Sequence, residues 1–149
     1  MISFSIPWIP GPKQGDRSRV VRTRTGKQFI AHYQPAEIVA EARSLASLII
    51  PYRPPNPLEG PVVLNIFAFW PFCKSHSKRF RSTGRRPKDT KPDTDNLQKA
   101  IMDVMQRTGF FVNDSQVCRV LCEKSWSDRG PMLVIEVGTY DDWMASNGD

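Results

Sequence analysis

The run VVLNIFAFW at 62–70, closed by Pro61 before it and Pro71 after it, most limits what this chain can fold into. It is apolar apart from Asn65 and predicts the principal strand. A second pattern follows it. Leu97, Ala100, Ile101, Val104 and Met105 fall at i, i+3, i+4, i+7 and i+8, which predicts a helix over 95–107 with Gly109 placed to stop it. Ile2, Phe4 and Ile6 alternate as a strand that ends at Pro7. Residues 17–33 read as a hairpin turning at Thr25–Gly26, with Val20, Phe29 and Tyr33 as its apolar positions. A further helix runs from Pro35 to about Ile50, its apolar face made by Ile38, Ala42, Leu45, Leu48 and Ile49. The prolines of 51–61 forbid regular structure, and 117–126 and 132–140 are two more strands joined by the turn SDRGP. Residues 71–92 predict a mobile basic loop, and 141–149 a loose tail. The expected fold is α+β (mixed α/β): one domain over 1–149, with a mixed sheet of about four to five strands packed with two main helices.

Composition removes several classes. With 149 residues and 40% hydrophobic content the chain can bury a core, which excludes disorder for its bulk. No apolar run reaches the roughly 18 residues of a membrane helix. The first residues, MISFSIPWIPGP, lack the basic start, long apolar stretch and cleavage site of a signal peptide. Three cysteines, an odd number, argue against a disulfide scaffold and for a reducing, cytoplasmic setting. The net charge of +6 is concentrated. Lys74, Lys78, Arg79, Arg81, Arg85, Arg86, Lys88 and Lys91 face only Asp89 within 71–92, and Arg17, Arg19, Arg22, Arg24 and Lys27 face only Asp16. From Gly130 onward there is no basic residue. Two dense basic clusters predict a polyanion, and nucleic acid above all.

Against this background the stretch KPDTDNLQKAIMDVMQ places Asp93 and Asp95 two positions apart at the start of a helix. Asp95 is the natural N-cap, and Asp93 would favour the helix dipole. Capping accounts well for one aspartate and poorly for the second. Asp114, in GFFVNDSQ, follows the helix. A helix of about 13 residues spans roughly 20 Å, so Asp114 reaches the other two only if 109–114 runs back along the helix or if a second subunit supplies it. A calcium loop counted from Asp93 fails, with Gln98 at the glycine position and Val104 at the glutamate position. Cys73 and His76 have ligand-like spacing, but Cys118 and Cys122 lie roughly 13 Å apart on a strand, so core cysteine is the better account than zinc. His32 and His76 have no visible acid or nucleophile beside them. What remains is a set of oxygen ligands next to a phosphate-binding segment, as magnesium (Mg2+) or manganese (Mn2+) phosphodiester chemistry requires. Lys99 lies one turn after Asp95 and forms either a surface salt bridge with Asp95 or Asp103, or a cation that stabilises the reacting phosphate. Asp103, about 12 Å beyond Asp95, reads as structural.

DTDNLQKAIMDVM followed by GFFVNDSQV resembles the RusA-type endodeoxyribonucleases, small Holliday junction resolvases of bacteria and their phages. The shared pattern is D-x-D-N-x-x-K at a helix start, then glycine, two aromatics, an apolar residue and an acidic pair before x-Q. The resemblance covers about 91–117 strongly and the remainder loosely. It implies that Asp93, Asp95 and Asp114 are catalytic, metal-binding carboxylates and Lys99 a catalytic lysine. It also implies a homodimer acting on four-way DNA junctions in recombination and repair, with Mg2+ as cofactor and Mn2+ as substitute. Asn113 departs from the usual acidic pair. DNA contacts are expected from the 71–92 cluster and from Arg17 and Arg19. Two rivals stand beside this reading. One is a non-catalytic nucleic-acid module with Trp70, Phe110, Phe111 and Trp126 as stacking platforms. The other is a metal-dependent nuclease for flaps, forks or RNA.

Overall fold

The computed structural model describes residues 1–11 and 17–148. In chain order it contains β1 (Ile2–Ile6), β2 (Arg17–Arg22), β3 (Gln28–Tyr33), α1 (Ala36–Ile49), β4 (Val62–Pro71), α2 (Lys78–Arg81), β5 (Arg85–Pro87), α3 (Thr94–Thr108), β6 (Val117–Ser127), β7 (Met132–Thr139) and α4 (Tyr140–Asn147). Two 3-10 turns lie at Ile50–Tyr52 and Asp114–Gln116.

The apolar run 62–70 lies at the centre of a five-stranded sheet of order β1-β7-β4-β6-β5. β4 pairs parallel with β6 and antiparallel with β7, so the sheet is mixed, as expected. Its alternation sorts the core. Val62, Leu64, Ile66, Ala68 and Trp70 join Leu45 and Ile49 of α1 and Leu97, Ile101, Val104 and Met105 of α3 in one buried cluster. Trp8, Phe110 and Phe111 are buried there too. The opposite face carries Asn65, Phe67 and Phe69, which are only half-buried. The large aromatics thus divide. Most complete the core of one chain, while Phe67 and Phe69 lie on the face opposite α1 and α3. Phe110 also fixes the proline-rich connection, its carbonyl accepting from Leu58 N at 2.8 Å.

Four sequence expectations need correction. The 71–92 segment is not one irregular loop. It holds α2, capped by Ser77 Oγ accepting from Phe80 N at 3.1 Å, and β5, paired with β6. Both elements are too short to show a hydrophobic period, and pairing with β6 supplies what propensity does not. The tail 141–149 is largely α4, capped by Thr139 Oγ1, which accepts from Asp142 N at 3.1 Å. Asp93, not Asp95, occupies the N-cap of α3. Finally, the 51–61 stretch begins with a 3-10 turn, with Pro51 inside it. The hairpin is present as expected, with Gly26 at φ 86° in its turn. It forms a separate two-stranded sheet, and Val20 and Ile30, directly opposite each other, are both largely exposed.

Candidate active site

The stripe on α3 that packs into the core leaves the opposite side of the helix to solvent, and the charged residues follow from that. Asp93, Asp95 and Lys99 are all exposed at the first turns of α3. Asp93 sits at the N-cap with extended backbone, yet its carboxylate accepts no capping hydrogen bond. The Asp95 carboxylate accepts from the amide of its neighbour Asn96 at 2.9 Å. Two carboxylates therefore stand together at a helix N-terminus with most of their oxygen lone pairs available. Lys99, at i+4 from Asp95, forms no ion pair with Asp95 or Asp103 among the described residues. A groove of about 300 Å3 runs beside these groups between α1 and α3. Asn96, Lys99, Asp103 and Arg107 line its α3 side, and Ile38 and Leu45 its α1 side.

Asp114 is elsewhere. Its amide donates to Gln106 Oε1 at 2.9 Å, which places it at the C-terminal end of α3. From Asp95 to Gln106 the helix rises about 16 Å at ~1.5 Å per residue. β6 provides a second measure, because about 23 Å of strand at ~3.3 Å per residue separates Val117, just after Asp114, from Lys124 beside the head of the helix. Carboxylates that share one magnesium ion must bring oxygens within about 4 Å of each other. Residues 109–114 do not run back along α3; the return is made only by β6, after Asp114, so one subunit alone does not unite the three aspartates. Consistently, no three of His, Cys, Asp and Glu among the described residues cluster closely enough to hold a metal. Asn113 serves the local turn: its side chain accepts from Ser115 N at 2.9 Å and completes a capping box with Gln116. An asparagine caps as well as an aspartate, so the departure from an acidic pair costs the turn nothing.

The basic segment divides between the two sides of the sheet. Arg85 lies in register with Ser127 and forms an ion pair with Glu123 at 2.9 Å. Arg86 lies in register with Trp126, and its guanidinium covers Phe80 at 4.8 Å. Arg81 is tied to the carbonyls of His76 and Cys73. Lys74, Lys78, Arg79 and Lys91 are exposed. Lys88 overturns its assignment to the DNA surface. It is 8% exposed, with Nζ 4.1 Å from the Trp126 ring centre and 5.3 Å from that of Trp70, and burial pushes its ammonium below the usual lysine range, with Lys124 adding to the effect. Arg19 reaches over the Tyr33 ring at 5.4 Å, while the side chain of Arg17 lies outside the described residues. The stacking alternative loses its main members, since Phe110 and Phe111 are fully buried. Nor do the cysteines assemble a zinc site. His76 Nδ1 accepts from Cys73 N at 2.9 Å, and burial raises the Cys122 thiol to about 11, so it stays protonated.

One residue was missed by reading the sequence. Lys124 Nζ donates to Thr90 O at 2.7 Å and Pro92 O at 2.6 Å, just ahead of Asp93. Its signal was present in the alternation of β6, which places Lys124 on the helix-covered face with Cys122 and Trp126.

A helix head bearing two exposed carboxylates and a lysine, flanked by exposed basic residues, suits the handling of phosphodiesters. No curated protein matches the chain. The family described as Endodeoxyribonuclease RusA matches residues 9–138, most of the chain. On that match the chain belongs to the RusA endodeoxyribonuclease family, hydrolases that cut DNA and resolve Holliday junctions.

Proposed function

We propose that this chain resolves four-way DNA junctions as a magnesium-dependent homodimer in which each active site draws on both subunits. The observation that carries the reading is the exposed pair Asp93 and Asp95 at the head of α3, with Asp93 making no capping hydrogen bond. The donor set fits magnesium, with manganese as a substitute, because both groups offer hard oxygen ligands and one or two carboxylates plus substrate phosphate are its usual protein complement. When bound there, the ion would polarise the scissile phosphate and ease deprotonation of an attacking water. Asp93 and Asp95 would hold it, and the backbone amides of the first helical turn would favour the incoming anion. Lys99, on the same helix face as Asp95, would place a positive charge where negative charge grows on the phosphate or its leaving oxygen.

Asp114 is distant within one chain, so its role as third carboxylate requires Asp114 of the partner subunit. A two-fold pair with its α3 helices antiparallel would set the C-terminal end of one helix beside the head of the other. Such a dimer also suits a junction, which needs two symmetric cuts. Lys74, Lys78, Arg79 and Lys91, with Arg19 from the hairpin, are the exposed cations that support DNA binding. The proposed setting is DNA recombination and repair in the cytoplasm. No helix among the described residues is long and apolar enough to cross a membrane.

The test is cutting of a labelled synthetic four-way junction beside a flap, a fork and a linear duplex of the same sequence, with and without magnesium. Paired, magnesium-dependent incisions in the junction are expected, with the duplex intact. Preferential cutting of flaps or forks would shift the substrate and keep the chemistry. Absence of cutting on every substrate, with binding intact, would leave only a DNA-binding module.

A further inference from the structure

Lys124 stands on the face of β6 that α3 covers, level with the buried Ala68 of β4, and is half-buried. A cation there needs partners, since burying an unpaired charge is costly. Among the described residues no carboxylate lies within ion-pair reach of it. Both of its short hydrogen bonds go to backbone carbonyls, those of Thr90 and Pro92. These flank Lys91, and Pro92 directly precedes Asp93. On its other side Asp93 is locked into the helix, its carbonyl accepting from Leu97 N at 3.0 Å. The position of Asp93 is therefore fixed from behind by Lys124 and from ahead by the helix.

Lys88 braces the same strap. Its amide donates to Lys124 O at 3.1 Å, and its ammonium donates to Thr90 Oγ1 at 2.5 Å from its place over Trp126 and Trp70. Residues 88–92 are thus anchored at several points to β6 and to each other, whereas the carboxylates they deliver face solvent. A neutral donor would suffice to hold a loop. An ammonium with two carbonyls makes stronger, charge-assisted bonds and so a stiffer mount.

We propose that Lys124 is a positioning residue of the nuclease site: by gripping the carbonyls of Thr90 and Pro92 it sets the turn that presents Asp93 to the metal. The proposal rests on the carboxylate reading above. Its loss is felt first in divalent-ion affinity, and DNA affinity is spared. Supporting groups behind metal ligands commonly contribute about 10–100-fold in metal affinity.

The experiment measures Mn2+ binding to the DNA-free, full-length protein by electron paramagnetic resonance for wild type, Asp93→Asn, Lys124→Met and Lys124→Arg. Junction affinity without metal and the magnesium dependence of cutting are measured in parallel. Wild type should bind Mn2+ and Asp93→Asn should not. Lys124→Met should bind about tenfold more weakly and need correspondingly more magnesium to cut, with junction affinity within about threefold of wild type. Lys124→Arg, which still offers donors to two carbonyls, should recover most of the loss. Equal Mn2+ affinity in wild type and Lys124→Met overturns the proposal and leaves the carboxylate site standing. If Asp93→Asn binds Mn2+ as wild type does, the carboxylate reading fails and takes the proposal with it. Should Lys124→Met fail to fold, nitrogen-15 relaxation of the Lys124 ammonium in the wild-type protein decides. An immobile, slowly exchanging ammonium supports the grip, and one as mobile as the surface lysines overturns it.

Discussion

The two ends of α3 are built in opposite ways. At the C-terminal end nearly every group is engaged. Gly109 adopts φ 90° and its amide donates back to Gln106 O, Phe110 N donates to Met105 O at 3.0 Å, and Thr108 Oγ1 donates to Val104 O at 2.8 Å. Gln116 reaches across to Leu58 O and Gly60 O, both at 3.0 Å, and the side chains of Phe110 and Phe111 are sealed in the core. At the N-terminal end the solvent side is left open. Asp93 makes no capping hydrogen bond, and among the described residues Asp95 accepts only from its neighbour's amide. The anchoring there comes from behind, through Lys124 and Lys88. The difference separates two roles on one helix: the tail secures the fold, and the head keeps oxygen ligands free for a cation and a phosphate.

The largest expected effect is at the head. Asp93→Asn or Asp95→Asn should lower junction cutting by about 10^3-fold or more, equivalent to ~4 kcal/mol of barrier. Stability should change by less than ~1 kcal/mol, because both side chains are exposed and Asp93 makes no capping hydrogen bond to lose. Junction binding should be retained or strengthened, as measured by gel shift beside the cutting assay. Full activity in either variant would break the contrast at once. At the tail the balance reverses. Phe110→Ala should cost about 3–5 kcal/mol in denaturant unfolding through the cavity it leaves. Gly109→Ala should cost about 1–2 kcal/mol, because a side chain there must enter the left-handed region. A melting curve unchanged by Gly109→Ala would show that the tail is less tightly specified than its bonds indicate.

How much of this was legible beforehand depends on whether a residue's role is set by neighbours in sequence or across the sheet. β4, α3 and the stop at Gly109 announce themselves through periodicity and conformational need. Asp93, Asp95 and Lys99 stood out as acids and a base at one helix start. α2 and β5 did not, because a four-residue helix and a three-residue strand carry no period and depend on Ser77 and β6. Charge counting also misled at Lys88. A lysine in a basic run reads as surface, and nothing local shows that Trp70 and Trp126 enclose it. The distance of Asp114 turned on whether the chain doubles back, which only the Gln106 hydrogen bond and the course of β6 decide.

The smallest expected effect sharpens the contrast by locating DNA relative to the head of the helix. Replacing Lys74, Lys78 and Arg79 together by glutamine should weaken binding alike on all DNA sequences. It should also flatten the salt dependence by about 0.9 in log–log slope for each phosphate that is no longer neutralised. An unchanged slope would remove this surface from the DNA path.

The shared active site is tested most directly by mixing two inactive proteins. Asp93→Asn and Asp114→Asn should each fail to cut a junction alone. If Asp114 acts across the dimer, a mixed dimer holds one complete site and one site lacking both groups, so subunit exchange should restore nicking of the junction. If mixed dimers, verified by native mass spectrometry, remain as inactive as either parent, the carboxylates do not combine across the subunits and the account is contradicted.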